Sequence, residues 1–320
     1  MGLLSLNSRA VRGEILRQLE TLEPATWLGQ IAYVNFTSDM FTEDYKFLGD
    51  IPVFKKWVGQ RERQELNDFG IVIKNELFET TLSVNKHEYQ FDKTAQVQNR
   101  INALPMAIEN HYQSQLTDLI VAGESTVCYT GQFFFDTDHV VVNSGTFSND
   151  ITVTLANLPI DAANRGTTTA PGAETLAHAM LQAIQTMYGF KSDKGTPINQ
   201  SAKAFTVMVP VPFMGAAGLA IGEVGFAYGR PNPLRGIDGM SINVVVNPFL
   251  PWTNKLAVFR SDGAEGSAAL IAQRMGPINS TVQAEGSHLE HTENRWEFGI
   301  DMLTGVGYGL PQHACLVTLA

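Results

Sequence analysis

The feature that most constrains the fold is one long helical pattern over residues 93–122. Apolar residues recur along it three or four positions apart, and Gly123 follows as an end signal. At about 1.5 Å per residue, a helix of this length extends roughly 45 Å, with a bend expected at Pro105. The apolar positions are Val97, Ile101, Leu104, Ile108, Tyr112, Leu116 and Leu119.

Strands and helices alternate over the rest of the sequence. A period of two, or a short apolar run, predicts strands at 132–135, 139–143, 151–155, 204–213, 241–246, 255–259 and 315–319. Helical spacing predicts an amphipathic helix from Ser8 to Pro24, a helix over 174–188, and a Gly/Ala-rich helix that begins near Met214. The fold class that this order predicts is α+β or mixed α/β.

The segment 25–57 carries eight aromatic residues but no sustained period. Such a segment cannot form a core of its own. We therefore expect it to lie across another surface, either of its own body or of a neighbouring chain. Trp27, Phe41 and Trp57 are the aromatic candidates for contacts between subunits.

Residues 58–92 have an extended and strongly charged pattern. Ile71 and Ile73, and then residues 78–84, alternate at a period of two. The apolar stripe is thin and the charges are many, which predicts a projecting β-hairpin rather than a buried pair of strands. The charged candidates for contacts between subunits are Arg61, Arg63, Glu65, Glu76 and Glu79.

Composition excludes several classes of protein. The 44% hydrophobic and 17% charged content is that of a folded chain. A net charge of -10 argues against a protein whose main task is to grip phosphate backbones. Two cysteines are too few for a disulfide framework, and we expect neither a signal peptide nor a membrane span.

The stretch CYTGQFFFDTDHV places a thiol, two carboxylates and an imidazole within 128–140. Asp136 and Asp138 lie two residues apart, so on a strand both would point the same way, as a metal site requires. However, no second pair of Cys or His lies nearby in the sequence. We therefore interpret Cys128, Asp136, Asp138 and His139 as a structural corner, with no metal, cofactor or catalytic residue. A metal-dependent hydrolase at Asp136, Asp138 and His139 is the alternative.

Two groups of glycines resemble nucleotide-binding loops but lack the rest of the motif. Gly215, Gly218 and Gly222 are followed by no Lys-Ser/Thr pair, so we predict a helix whose small face allows another backbone to approach. The run GVGYGLP, at 305–311, lacks a strand–turn–helix context, and we predict a tight bend between strands.

Five blocks of the sequence resemble the Mu-like phage major head proteins, in the same order. They are YKFLGDIPVFKKWVGQRERQEL (45–66), IKNELFETTLSV (73–84), CYTGQFFFDTDHV (128–140), FTVMVPVPF (205–213) and GYGLPQHA (307–314). Val140 stands where the family pattern has a proline. The stretch 189–204 is more polar than that pattern.

The resemblance implies the Hong Kong 97 phage capsid fold, with the chain divided into the parts of that fold. These are an N-terminal arm at 1–57, an extended loop at 58–92, and a peripheral domain at 93–163 whose spine helix is 93–122. An axial domain at 164–285 and a return to the peripheral domain at 286–320 complete the chain.

The function that the resemblance implies is that of a major capsid protein. Its copies would form hexamers and pentamers of an icosahedral head that encloses double-stranded DNA without sequence-specific binding. Scaffold, portal and decoration or cement proteins are the further partners implied. Assembly would take place in the bacterial host cytoplasm, and the protein would reside in the virion. An encapsulin-like nanocompartment shell is a second alternative, and no enzyme activity is expected.

Overall fold

The computed structural model describes residues 27–48, 68–91, 96–141, 145–192, 195–226, 229–237, 239–263 and 268–320, together with Gly13 and Arg17. The helices are α1 Leu28–Ile31, α2 Lys86–Gln90, α3 Gln96–Asn102, α4 Leu104–Ala122, α5 Ala162–Arg165, α6 Ala173–Tyr188, α7 Met214–Gly222 and α8 His288–Glu293. The strands are β1 Ala32–Ser38, β2 Thr42–Leu48, β3 Asp68–Lys74, β4 Glu76–Asn85, β5 His139–Val141, β6 Gly145–Phe147, β7 Asp150–Val153, β8 Ala204–Val209, β9 Gly225–Phe226, β10 Arg230–Pro231, β11 Ser241–Val246, β12 Lys255–Arg260, β13 Leu270–Gln283, β14 Arg295–Tyr308 and β15 Ala314–Leu319.

The long helix covers one face of a four-stranded sheet with the order β1-β13-β14-β4. Its apolar stripe, including Ile108, Leu116 and Ile120, is buried against sheet residues such as Phe298. The bend at Pro105 occurs as a break at Ala103 between α3 and α4. Proline fits the first turn of α4 because that turn has no helical partner for its N–H. At the other end, the Tyr308 hydroxyl donates to the carbonyl of Leu119 at 2.7 Å.

A five-stranded sheet with the order β11-β8-β12-β15-β7 is buried on both faces. Successive side chains of a strand point to opposite faces, so each strand contributes to two cores. Val207, Val258 and Val317 face the core under α6 and α7. Met208 and Phe259 face the core under α4. This sheet is therefore the wall that the two cores share. Among the described residues, no helix is both long and apolar enough to span a bilayer.

The predicted hairpin over 58–92 has a different pairing in the structure. β3 pairs antiparallel with β2, and β4 pairs antiparallel with β14, so β3 and β4 are not partners. The segment 25–57 also contains strands, since β1 runs parallel to β13 inside the four-stranded sheet. The reason is that the apolar stripes of β3 and β4 are covered by separate surfaces of the body, which local sequence does not reveal.

Three further local predictions need correction. Residues 132–135 form no strand; Phe133 makes one isolated bridge to Val127. Gly305 and Gly307 lie inside β14, not in a bend. β13 lies within the predicted axial segment 164–285 but pairs with β14 and β1, so a boundary at 285 separates two partner strands.

The glycines of β14 allow β3 to cross the four-stranded sheet closely. A Cβ on Gly305 would lie 2.7 Å from the carbonyl oxygen of Lys74, and one on Gly307 would lie 2.6 Å from Cδ1 of Ile73. Ile71 and Ile73 are buried there with Ile271 and partly buried tyrosines. Bulkier residues in β14 would push β3 away, so this strand has to contain glycines. Its sequence therefore resembles that of a glycine-rich turn.

We expect Gly305→Ala to destabilise the protein by about 1–3 kcal/mol, because its Cβ meets the backbone of β3, which cannot move aside alone. Gly307→Ala meets Cδ1 and Cγ1 of the Ile73 side chain but no backbone, so a change of side-chain rotamer can relieve it and it should cost less than Gly305→Ala. Urea unfolding followed by circular dichroism measures both. Equal costs, or a larger cost for Gly307→Ala, would contradict this account of the crossing.

Candidate functional site

The corner, residues 128–139, follows the long helix and is held by local hydrogen bonds. The amide of Cys128 donates to the carbonyl of Gln132 at 2.8 Å, and the amide of Gly131 donates to the carbonyl of Cys128 at 3.0 Å. The Cys128 thiol is buried and lies 3.0 Å from the hydroxyl of Thr130. Phe134 is fully buried and stacks on Tyr308 with ring centroids 4.6 Å apart.

His139 is the buried centre of this corner. Its Nε2 lies 3.2 Å from the carbonyl oxygen of Phe134, and its Nδ1 lies 3.4 Å from Oγ1 of Thr130. A carbonyl only accepts, so Nε2 carries the proton and Nδ1 accepts from the threonine hydroxyl. The ring stacks on Phe147 at 4.8 Å. Burial lowers the pKa of His139, although the nearby carbonyl and carboxylates oppose that effect. The imidazole is therefore a neutral structural group.

The two aspartates of the corner bond to separate partners and do not converge. Asp136 accepts from the amides of Thr137 at 2.7 Å and Phe133 at 3.3 Å. Asp138 is exposed and accepts from Nε2 of Gln132 at 2.9 Å. Within the described ranges, no group of three or more His, Cys, Asp or Glu could hold a metal ion. This geometry does not resemble a hydrolase site.

Asn149 joins the corner to the rest of the molecule, and sequence reasoning missed it. Its Nδ2 donates to the carbonyls of Phe134 at 2.8 Å and Pro311 at 3.0 Å, and its Oδ1 accepts from the amide of Asp136 at 2.9 Å. The side chain is fully buried. Asparagine is also an ordinary turn residue, so the sequence carried no signal that this one connects segments 162 positions apart.

The aromatic candidates for contacts between subunits have different surroundings. Trp27 is partly buried and packs against the core under α4. Phe41 is 51% exposed at the loop between β1 and β2, with the Lys74 ammonium 5.6 Å from its ring centroid. Trp57 lies outside the described residues.

The charged candidates for contacts between subunits lie partly inside and partly outside the described residues. Glu76 and Glu79 are exposed on β4, an edge strand of the four-stranded sheet, beside Leu77, which is 66% exposed. Arg61, Arg63 and Glu65 lie outside the described residues.

Helix α7 exposes an apolar surface. Met214 is 59% exposed and Leu219 is 52% exposed. Gly215, Gly218 and Gly222 were predicted to let another backbone approach, but a Cβ at each would have open space around it. Among the described residues, nothing in this chain occupies that space.

The second cysteine is not a reactive thiol. Cys315 is fully buried in β15, and burial raises the pKa of its thiol. The thiol is therefore protonated at neutral pH, whereas a nucleophile needs the thiolate.

Comparison with known proteins finds the same family that the five sequence blocks resemble. Residues 17–161 match the family described as Mu-like prophage major head subunit gpT. The Mu-like prophage FluMu major head subunit of Haemophilus influenzae and the major capsid protein of Escherichia phage Mu are each 29% identical over 97 residues. That stretch is 30% of this chain and 32% of each relative, so the match spans about a third of their length.

Solved capsid structures are similar over most of the chain. The bacteriophage JBD30 capsid has a TM-score of 0.53 at 16% identity, covering 92% of this chain and 65% of that one. The capsid of cyanophage P-SCSP1u has a TM-score of 0.57 at 13% identity, covering 93% and 89%. The predicted α+β class and the Hong Kong 97-type capsid fold are therefore confirmed, and so is the resemblance to the Mu-like head subunits.

We expect the protein to lose stability as the pH falls below about 6.5, the ordinary pKa of histidine. Burial lowers the pKa of His139, His111 and His178, so the unfolded chain binds more protons in this range and folding weakens on acidification. Because His139→Gln cannot be protonated, its free energy of unfolding should fall less between pH 7.5 and pH 5 than that of the wild type.

His288→Gln is the matched control, since His288 is exposed on α8. It should keep the pH dependence of the wild type. The same pH dependence in His139→Gln as in the wild type would overturn the assignment of a buried neutral imidazole.

Proposed function

We propose that this chain belongs to the Mu-like major head subunit family and is the major capsid protein of a phage head. Its copies would assemble into hexamers and pentamers of an icosahedral shell around double-stranded DNA. The observation that carries the proposal is the capsid fold, which extends over more than nine-tenths of the chain in several solved phage capsids. The role is structural, and no catalytic chemistry is proposed.

The described surface supports assembly through many weak contacts. Large apolar side chains are exposed at three separate places: Phe41 and Leu77 near the base of the β2–β3 hairpin, Val127 and Phe133 on the corner, and Met214 with Leu219 on α7. Groups of exposed apolar residues commonly mark sites of protein contact. A shell needs several such sites on each subunit, because every subunit has several neighbours.

The charge of the chain is compatible with a container for DNA. A net charge of -10 disfavours tight binding of phosphate backbones. DNA could therefore enter the shell without being captured at its wall. Scaffold, portal and decoration proteins are proposed as further partners, assembly is proposed to occur in the bacterial cytoplasm, and the virion is the proposed final location.

Neither alternative function is favoured. An encapsulin-like shell shares the fold, but the family match is to phage head subunits. A hydrolase at Asp136, Asp138 and His139 is disfavoured because these side chains bond to different local partners.

We expect the purified protein, with scaffold partners if needed, to form shells visible by electron microscopy. Leu77→Ser and Leu219→Ser should remain folded yet assemble poorly. Each buried leucine contributes about 1.5–3 kcal/mol per contact, so the concentration needed for assembly should rise about tenfold to a hundredfold. Ser83→Ala, on the same face of β4 as Leu77, is the control and should assemble normally.

Sedimentation velocity over a concentration series measures the threshold. A wild-type protein that stays monomeric at all concentrations, with and without its partners, would refute the proposed function. Unchanged thresholds in both leucine variants would refute these two surfaces as contacts.

We also expect the shell to be non-covalent. Of the four Lys and Asn side chains at the two ends of β4, Lys74 is exposed with its ammonium over the Phe41 ring, Asn75 is buried, Asn85 accepts from the amide of His87, and Lys86 pairs with Glu290 at 2.6 Å. Both of these asparagines are already engaged, so neither offers a free amide to a lysine of a neighbouring subunit. A single 35.0 kDa band on a boiled denaturing gel is the expected result, and a ladder of multimers would contradict it.

A further inference from the structure

Two buried amide side chains lie where the β2–β3 hairpin meets the four-stranded sheet. Gln273 on β13 and Asn75, between β3 and β4, are both fully buried. Burying such groups costs free energy unless each donor and acceptor finds a partner. The hydrogen bonds that these two amides make therefore show which arrangement of the strands keeps both of them paired.

Together with Tyr45 on β2, these two residues form a connected set that we name the hairpin-base network. Nε2 of Gln273 donates to the carbonyl of Ile73 and to Oδ1 of Asn75, both at 3.1 Å. The Tyr45 hydroxyl donates to Oε1 of Gln273 at 2.8 Å. Nδ2 of Asn75 donates to the carbonyl of Met40 at 3.0 Å. Both donors of the glutamine amide and its acceptor are thus occupied.

The network can hold the hairpin in one direction, which the apolar contacts of the hairpin cannot do. Ile71 and Ile73 pack on Ile271 and on partly buried tyrosines, while Gly305 and Gly307 of β14 place no side chain against Ile73. Apolar contact is non-directional, whereas hydrogen bonds require a particular distance and angle. Any rotation of the hairpin would leave buried amide groups without partners. The network therefore favours one direction of the hairpin.

A small rotation at this point has a large effect at the other end of the hairpin. The pairing of β2 with β3 extends from Thr42↔Lys74 to Leu48↔Asp68. The network holds the hairpin as far as the Tyr45↔Ile71 pair, and three further steps of about 3.3 Å place the far pair roughly 10 Å beyond it. A rotation of about 10° at that pair therefore moves the far pair by roughly 2 Å, which exceeds the tolerance of a packed interface.

We propose that the hairpin-base network sets the direction of the β2–β3 hairpin and thereby selects a single assembled form of the shell. The inference rests on the proposed function. It assigns to Tyr45, Asn75 and Gln273 a task beyond stability: they keep the hairpin of each subunit within the narrow range of angles that hexamers and pentamers can accommodate.

Tyr45→Phe and Gln273→Leu test the proposal. The first removes the hydroxyl and keeps the ring; the second removes the amide and keeps most of the volume. Gln283→Leu is the control, since Gln283 is exposed on the same strand. Hydrogen exchange in the unassembled protein and electron microscopy of assembled particles are the two measurements.

Tyr45→Phe removes two hydrogen bonds, to Gln273 and from Asn35, and Gln273→Leu removes three. Both variants should therefore exchange the amides of β2 and β3 at least about fivefold faster, while β8 and β12 are unchanged. Their particles should vary in diameter or remain open. The wild type and Gln283→Leu should give uniform closed shells.

Uniform shells from a folded Tyr45→Phe variant would overturn the inference and leave the proposed function intact, as would unchanged exchange in β2 and β3. If Gln273→Leu fails to fold, Tyr45→Phe decides alone. A wild type that forms no shells refutes the proposed function and this inference with it, so the two failures are distinguishable.

Discussion

The structure depends on one sheet that is buried on both faces. Each central strand of the five-stranded sheet sends alternate side chains into two cores, as Val207 and Met208 do. A charged residue at either position would lie in an apolar core, and a shift of one residue in register would exchange all the side chains between the cores. The sheet therefore fixes the long helix α4 on one side and α6 on the other. The exposed surfaces occupy defined positions because both cores are built on this one sheet.

Buried neutral amides hold two joints of the molecule. Asn149 connects the corner to the end of β14, and Gln273 connects the hairpin to β13. Each amide both donates and accepts, so it can link strands without the large cost of burying a charge. His139 acts in the same way as a neutral ring between Thr130 and Phe134. These joints restrict the angles between elements, and a closed shell needs those angles to vary little from one subunit to the next.

The exposed apolar residues are the part of the surface that assembly would bury. Inside the chain, the cores are closed and their polar groups largely paired. The exposed side chains of Leu77, Leu219 and Met214 have no such role within the described residues. Weak contacts at several places on each subunit give a shell that forms cooperatively, because a single contact is insufficient while many together are strong. The open glycines of α7 leave space for a neighbour without forcing one particular contact.

The sequence alone determined the helices α3, α4, α6 and α7 and all five strands of the five-stranded sheet, because apolar periods of 3.6 and 2 residues are local. The short helices α1, α2, α5 and α8 were not predicted. The sequence also placed the break near Pro105 and the class of the fold. Only the tertiary structure decided the partners of β3 and β4, the strand character of Gly305 and Gly307, and the tasks of Asn149 and Gln273. β13 and β14 escaped prediction because glycines and Pro277 interrupt their alternation. Gln273 and Asn75 meet across 198 positions of sequence, and a hydrogen bond over that separation exists only once the strands have found their register.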